Sequence, residues 1–283
     1  MGVELRWGER TYVMGVVNLT ADSFSGDGLA TPDRSPASRL AAAVDQARHF
    51  VDAGAEIVDV GAESSRPRAA YGEHPDVDEA TELEVAIPVV RAAAAELGHR
   101  AVVSIDTTKA AVARAAVEAG ATMVNDVWGG RRDPGTADAA AFGGAHFVVM
   151  HNQDEATYPN GVFVDVVTWL RDAVEAAAAR GVARDRIIVD PGIGFGKTSE
   201  LNLELLHRLA ELKAALGGLP LLVGTSRKRF LGELLDGAPP TQRLEGTAAT
   251  VALAIAAGAD IVRVHDVEPM VRIRRVADAV VRR

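Results

Sequence analysis

The chain has 283 residues, 48% of them hydrophobic and 24% charged, a size that suits a (β/α)8 barrel or two smaller domains. Its net charge of −9 argues against nucleic acid or an anionic membrane as the main partner, although a local cluster of Arg and Lys can still receive a small anion. With no cysteine, disulfides, Cys-bound zinc and thiol catalysis are excluded, and the composition fits a reducing compartment such as the cytoplasm. The opening MGVELRWGERTYVMG lacks a long apolar core, and no uncharged apolar run reaches membrane-spanning length, so neither a signal peptide nor a membrane span is expected.

Short β-branched runs recur along the chain at Tyr12–Val17, Ile57–Val60, Ala101–Ile105, Thr122–Asn125, His146–Met150, Ile187–Val189, Leu221–Val223 and Ile261–Val264. They read as parallel strands buried on both faces. Amphipathic, Ala-rich stretches lie between them: Ser38–Ala53, Thr81–Leu97, Lys109–Ala119, Asp165–Arg180, Ser199–Leu216 and Arg243–Ala257. The joints DAGAEIVDV, EAGATMVND and AAGADIVRV repeat one pattern, a glycine ending a helix just before an apolar strand. This alternation predicts an α/β fold, a (β/α)8 TIM barrel in one domain over residues 1–283, with a doubly wound open sheet as the rival. The longest loops, Leu19–Ala37 and Ala62–Asp78, follow the first two strands and have a length that usually marks function.

VDPGIGFGKT, residues 189–198, imitates a nucleotide-binding loop. The opening glycine of that motif would fall at Pro191, which has no N–H to offer a phosphate. The segment reads instead as a turn at a strand end.

In a TIM barrel, chemistry collects where strands end. Here those ends carry Asn18, the run from Gly61 to Pro67, Asp106, Asn125, His151, Asp190, the run from Gly224 to Lys228, and Arg263 with His265. Carboxylates and an amide (Asp106, Asn125, Asp190) suit a heteroaromatic edge rich in N–H groups, whereas Arg66, Lys228 and Arg263 suit phosphate. Taken singly, each has a bland reading: Asp106 and Asp190 as helix caps, Asn125 as structural, His151 and His265 as loop residues, Glu63 as the partner of a barrel arginine. Their alignment at successive strand ends favours a site for a ligand that is part ring and part phosphate.

With these blocks in view, the chain resembles the dihydropteroate synthases, the folate-pathway enzymes targeted by sulfonamides. The resemblance runs from VMGVVNLTADSFS through GAESSRP, SIDTTKAAVARAAVEAGATMVNDVWGG, VVMHN, DPGIGFGKTSELNLELL and GTSRKRFLG to RVHDV. It implies a condensation of 4-aminobenzoate with a dihydropterin methyl diphosphate, Mg²⁺ and a homodimer. It further implies that Asp106, Asn125 and Asp190 hold the pterin edge, that Lys228 touches the pterin beside the aminobenzoate, and that Arg263 stacks on the pterin face. His265, Arg66 and Asn18 match residues that receive diphosphate, with Asn18 also meeting Mg²⁺. Ser65, Pro67, Phe195 and Ser226 match the lining of the aminobenzoate site. Catalytic roles are implied for Asp22, Asp27, Lys228 and Arg263. The first loop departs from the common N-V-T-P-D-S-F-S-D-G-G: Ala21 replaces proline, and the second aspartate stands one place later, as Asp27. A pterin-binding paralogue with little synthase activity is the alternative. A methyltetrahydrofolate-dependent methyltransferase is a third, which would need a corrinoid partner.

Overall fold

The computed structural model describes residues 3–19, 35–63 and 77–282. Eight parallel strands alternate with helices: β1 (Tyr12–Asn18), β2 (Ile57–Gly61), β3 (Val102–Asp106), β4 (Met123–Asp126), β5 (His146–Met150), β6 (Ile187–Asp190), β7 (Leu222–Val223) and β8 (Ile261–Val264). They form one sheet in the order β6-β5-β4-β3-β2-β1-β8-β7. A parallel bridge between Val189 and Leu221 joins the sheet's two ends and closes a TIM barrel. An open doubly wound sheet has no such closure.

The helices are α1 (Pro36–Ala53), α2 (Glu79–Leu97), α3 (Ala110–Glu118), α4 (Gly135–Gly143), α5 (Val162–Ala179), α6 (Ser199–His207), α7 (Leu209–Ala215), α8 (Arg229–Leu234), α9 (Leu244–Ala256) and α10 (Val267–Val281). Their starts follow local chemistry. Ser35 caps α1 with Pro36 in its first turn, Asp78 caps α2, and Thr198 caps α6, each side chain accepting from a backbone N–H one turn on. The repeated joint glycines, Gly54, Gly120 and Gly258, all take left-handed backbone with φ of 106°, 109° and 94°. The expected helix over Ser199–Leu216 is two helices, because the backbone leaves helical geometry at Arg208 (φ −106°, ψ 19°). Helices α4, α8 and α10 fall outside the sequence-based list. No described helix is long and apolar enough to cross a membrane.

Two packed regions hold the barrel. One lies between its outer face and the helices. The other fills the lower lumen with Met14, Ile57, Val102, Met123, Val148, Ile188, Leu222 and Ile261, one from each strand. Each such side chain contributes about 1.5–3 kcal/mol by leaving water. The N-terminal segment seals this end: Leu5 packs into the same cluster, and Trp7 sets its edge against Tyr12 and His146.

Candidate active site

Two residues further along each strand, the lumen changes character. The positions above the apolar layer include Asp59, Ser104, Asn125, Asp190 and Arg263. Strand alternation returns the chain to the same face every second residue, so these side chains also point inward. Asp59 is fully buried and sits at the centre. It accepts from Ser104 Oγ (2.6 Å), Asn125 Nδ2 (2.9 Å) and Arg263 Nε (2.7 Å). Arg263 also reaches up to Asp106, with Nη2 2.8 Å from Oδ2. Burial alone would lower the arginine's pKa, but Asp59 and Asp106 more than offset it and the net shift is upward. Burial raises the Asp106 carboxyl, against the opposing pull of Arg263.

The glycine turn follows β6. Asp190 Oδ1 accepts from Gly192 N at 2.7 Å, so it organises a turn and caps no helix. Burial raises its pKa, while the nearby Lys228 ammonium lowers it. Gly192, Gly194 and Gly196 have φ of 66°, 83° and 55°. A Cβ at each would strike, in order, His151 O at 1.8 Å, Lys228 Cδ at 2.7 Å and Gln153 O at 2.2 Å. The glycines therefore let this turn wedge between the β5 loop and Lys228. Lys197 is buried beneath it, donating to Gly192 O and Phe195 O (both 2.9 Å) and lying 3.0 Å from His151 Nδ1. With Thr198 capping α6, the Lys-Thr pair pins a loop and starts a helix, which disposes of the phosphate reading.

Lys228 lies on the other side of the turn. Its ammonium donates to Ile193 O and sits 4.6 Å from the Phe195 ring centroid. Burial brings its pKa down to about 8, with Asp190 opposing the shift. The preceding Arg227 takes a left-handed backbone, φ 60°, held by two bonds to Asp266 (3.0 and 2.6 Å) and by Arg243 donating to its carbonyl. Such a conformation costs a non-glycine residue about 1–2 kcal/mol. It joins Lys228 to Ser226, whose Oγ accepts from His265 N (3.2 Å) and lies 3.0 Å from His265 Nδ1.

Thus the fold gathers Asp106, Asn125, Asp190, Lys228, Arg263 and Phe195 at one end of the barrel and links Ser226 to His265. Asn18 ends β1 opposite Gly61, which in turn pairs with Asp106. Asp22, Asp27, Ser65, Arg66 and Pro67 lie outside the described residues. Glu63 pairs with Lys109 (2.5 Å), not with an arginine, and Lys109 also binds the fully buried Glu82 (2.6 Å). Asp126 accepts from Trp128 N, Gly130 N and Thr136 Oγ1, so it shapes the loop after β4. Burial pushes its carboxyl up to about 6.

Sequence reasoning missed Asp59 and Ser104. Their signal was a lone polar residue at the inward phase of an apolar strand, in IVDVG and VVSID. Among the described residues no three His, Cys, Asp or Glu side chains cluster as a metal site. Asn18 ends β1 with a hard amide oxygen of the kind Mg²⁺ accepts, and that ion is ordinarily held by one or two protein oxygens together with substrate phosphates and water.

The family model described as "Pterin binding enzyme" matches residues 14–265. The chain is 44% identical to the dihydropteroate synthase of Bacillus subtilis, over 97% of this chain and 90% of that one. Among solved structures it is similar to the Clostridium difficile dihydropteroate synthase crystallised with pteroic acid, at 42% identity and a TM-score of 0.87, covering 98% and 99% of the two chains. It is also similar to the Xanthomonas albilineans dihydropteroate synthase with 4-aminobenzoic acid, at 38% identity and a TM-score of 0.85, covering 96% and 94%. The chain belongs to the pterin-binding enzymes and, within them, to the dihydropteroate synthases.

Proposed function

We propose that the site just described joins 4-aminobenzoate to (7,8-dihydropterin-6-yl)methyl diphosphate, making 7,8-dihydropteroate and releasing diphosphate. The carrying observation is the row of buried acceptors, Asp106, Asn125 and Asp190, braced by Arg263 and facing Lys228. A pterin presents a guanidine-like edge of N–H donors, which such a row complements. The C–O bond to diphosphate breaks first, and the leaving group takes the electron pair. The resulting methylene cation is stabilised by the carboxylates beneath the ring. The aromatic amine, a weak nucleophile, needs placement more than activation. It forms the new C–N bond and sheds a proton, as an acidic anilinium does readily.

In this reading Lys228 contacts the pterin, and its neighbours Phe195 and Ser226, with Ser65 and Pro67, line the aminobenzoate site. His265, Arg66 and Asn18 receive the diphosphate, and the first-loop aspartates Asp22 and Asp27 stabilise the methylene cation. Asn18 would hold Mg²⁺ when it is bound, and the ion would supply positive charge for the leaving diphosphate. The enzyme works in the cytoplasm as a homodimer. The exposed Leu253 of α9 with Val276 and Val280 of α10 offer an apolar face for the second copy.

The test is diphosphate release from the dihydropterin diphosphate with Mg²⁺, with and without 4-aminobenzoate. Release coupled to dihydropteroate supports the synthase, and a sulfonamide should then compete with 4-aminobenzoate. Pterin binding without release or product identifies the inactive paralogue instead.

A further inference from the structure

We infer that Asp59 is a specificity-determining positioning residue: it locks the Asn125 amide with its carbonyl oxygen turned to the ligand, so that the site reads N–H donors and rejects a ring carbonyl. The inference rests on the pterin reading above and deepens it.

An asparagine amide can face a ligand with either its oxygen or its NH2 group. Its surroundings must decide which. Here the decision is made from below. Asn125 Nδ2 lies 2.9 Å from Asp59 Oδ2, and a carboxylate offers only acceptors there. The reverse orientation would set two oxygens against each other in a fully buried place. Among the described residues no donor reaches Asn125 Oδ1. That oxygen is the atom left for a ligand.

Asp59 cannot swing away to release the amide. Ser104 Oγ holds its Oδ1 at 2.6 Å, and Arg263 Nε holds its Oδ2 at 2.7 Å. The same Oδ2 therefore fixes Asn125 and Arg263 together. Above them, Asp190 spends Oδ1 on Gly192 N, and Asp106 spends Oδ2 on Arg263, so each retains an oxygen for the cleft. With Asn125 locked, its oxygen joins the free oxygens of Asp106 and Asp190 in one array of acceptors. A 2-amino ring edge satisfies that array. A 2-oxo edge meets it oxygen to oxygen.

The test compares Kd for the dihydropterin with Kd for its 2-oxo counterpart, a dihydrolumazine. Asp59→Ala frees Asn125 to rotate, so the preference for the 2-amino ring should fall about tenfold. Asp59→Asn is the conservative rescue. Its oxygen can stay on Asn125 and Arg263 while its NH2 group turns to Ser104, whose hydroxyl also accepts, so the preference should stay within about twofold of the wild type. A purely structural role would cost stability in the alanine variant and leave the preference unchanged, and that result overturns the inference. Failure of the wild type to bind the dihydropterin sinks the functional reading itself.

Should the alanine variant not fold, the unliganded wild type decides. The Asn125 side-chain NH2 resonances, assigned by their absence in Asn125→Asp, should be protected from hydrogen exchange. Unprotected protons would show that Asp59 does not hold the amide.

Discussion

The lower and upper levels of the barrel lumen are built from the same strands in the same phase, yet they do opposite things. Below, eight apolar side chains pack and are sealed by the N-terminal segment. Two residues along, Asp59, Ser104, Asn125, Asp190 and Arg263 occupy the equivalent inward positions. The lower level gains from leaving water. The upper level loses by it, since buried charges must be desolvated and their pairing returns only part of that cost. A site of this kind persists because the apolar level beneath it and the shell outside it carry the stability. The backbone sets the phase, and residue type alone converts packing into recognition.

The sharpest way to break the contrast is Arg263→Met. It leaves Asp59 and Asp106 buried together without their shared cation, at an expected cost of about 3–5 kcal/mol at pH 8 in urea unfolding. Asp106, already raised by burial, loses the opposing pull of Arg263, so the folded state then binds more protons than the unfolded one. The deficit should therefore shrink as pH falls. A loss that is the same at every pH would mean that the arginine is mere packing. Met123→Ala, one layer lower, should cost about 2–5 kcal/mol by leaving a cavity. That loss should not depend on pH, and kcat/KM per folded molecule should not move. A change in kcat/KM there would mean that the two levels are not separable.

Two lysines flanking the glycine turn sharpen the same distinction. Lys197 is buried and spends its donors on the turn's own carbonyls. Lys228 faces the acceptors. Lys228→Ala should lower kcat/KM by about a hundredfold with little loss of stability. Full activity in that variant would remove Lys228 from the proposed site.

Much of this was legible in the chain. The strands showed themselves because they are compact apolar runs, three of them just after a joint glycine, and both features reflect local physics. Asp106, Asn125 and Asp190 were visible because they terminate such runs. Asp59 and Ser104 were not, because a polar residue inside an apolar strand gives no sign of its partners, which come from β4 and β8. The pairing of Glu63 and Glu82 through Lys109 was hidden for the same reason: three separate elements meet only in the closed barrel. Helix α4 escaped because its sequence, GTADAAAFG, is nearly all small and apolar and carries little period.

The smallest expected effect is the most diagnostic, because activity and stability should move in opposite directions. Burial brings Lys228 down to about 8, well below its ordinary value. If the charged amine is what the substrate meets, kcat/KM should be level below that pH and fall above it, approaching about tenfold per pH unit. Lys228→Arg should move the fall out of range, because a guanidinium stays charged. Stability runs the other way. Between pH 8 and the ordinary lysine range, the unfolded chain binds a proton that the folded one has released. The difference in unfolding free energy between wild type and Lys228→Met should therefore move in the wild type's favour as pH rises through that window. The two measurements share one titrating group and carry opposite signs. A fall in activity accompanied by falling relative stability would assign the activity loss to a loosening of the barrel and not to Lys228.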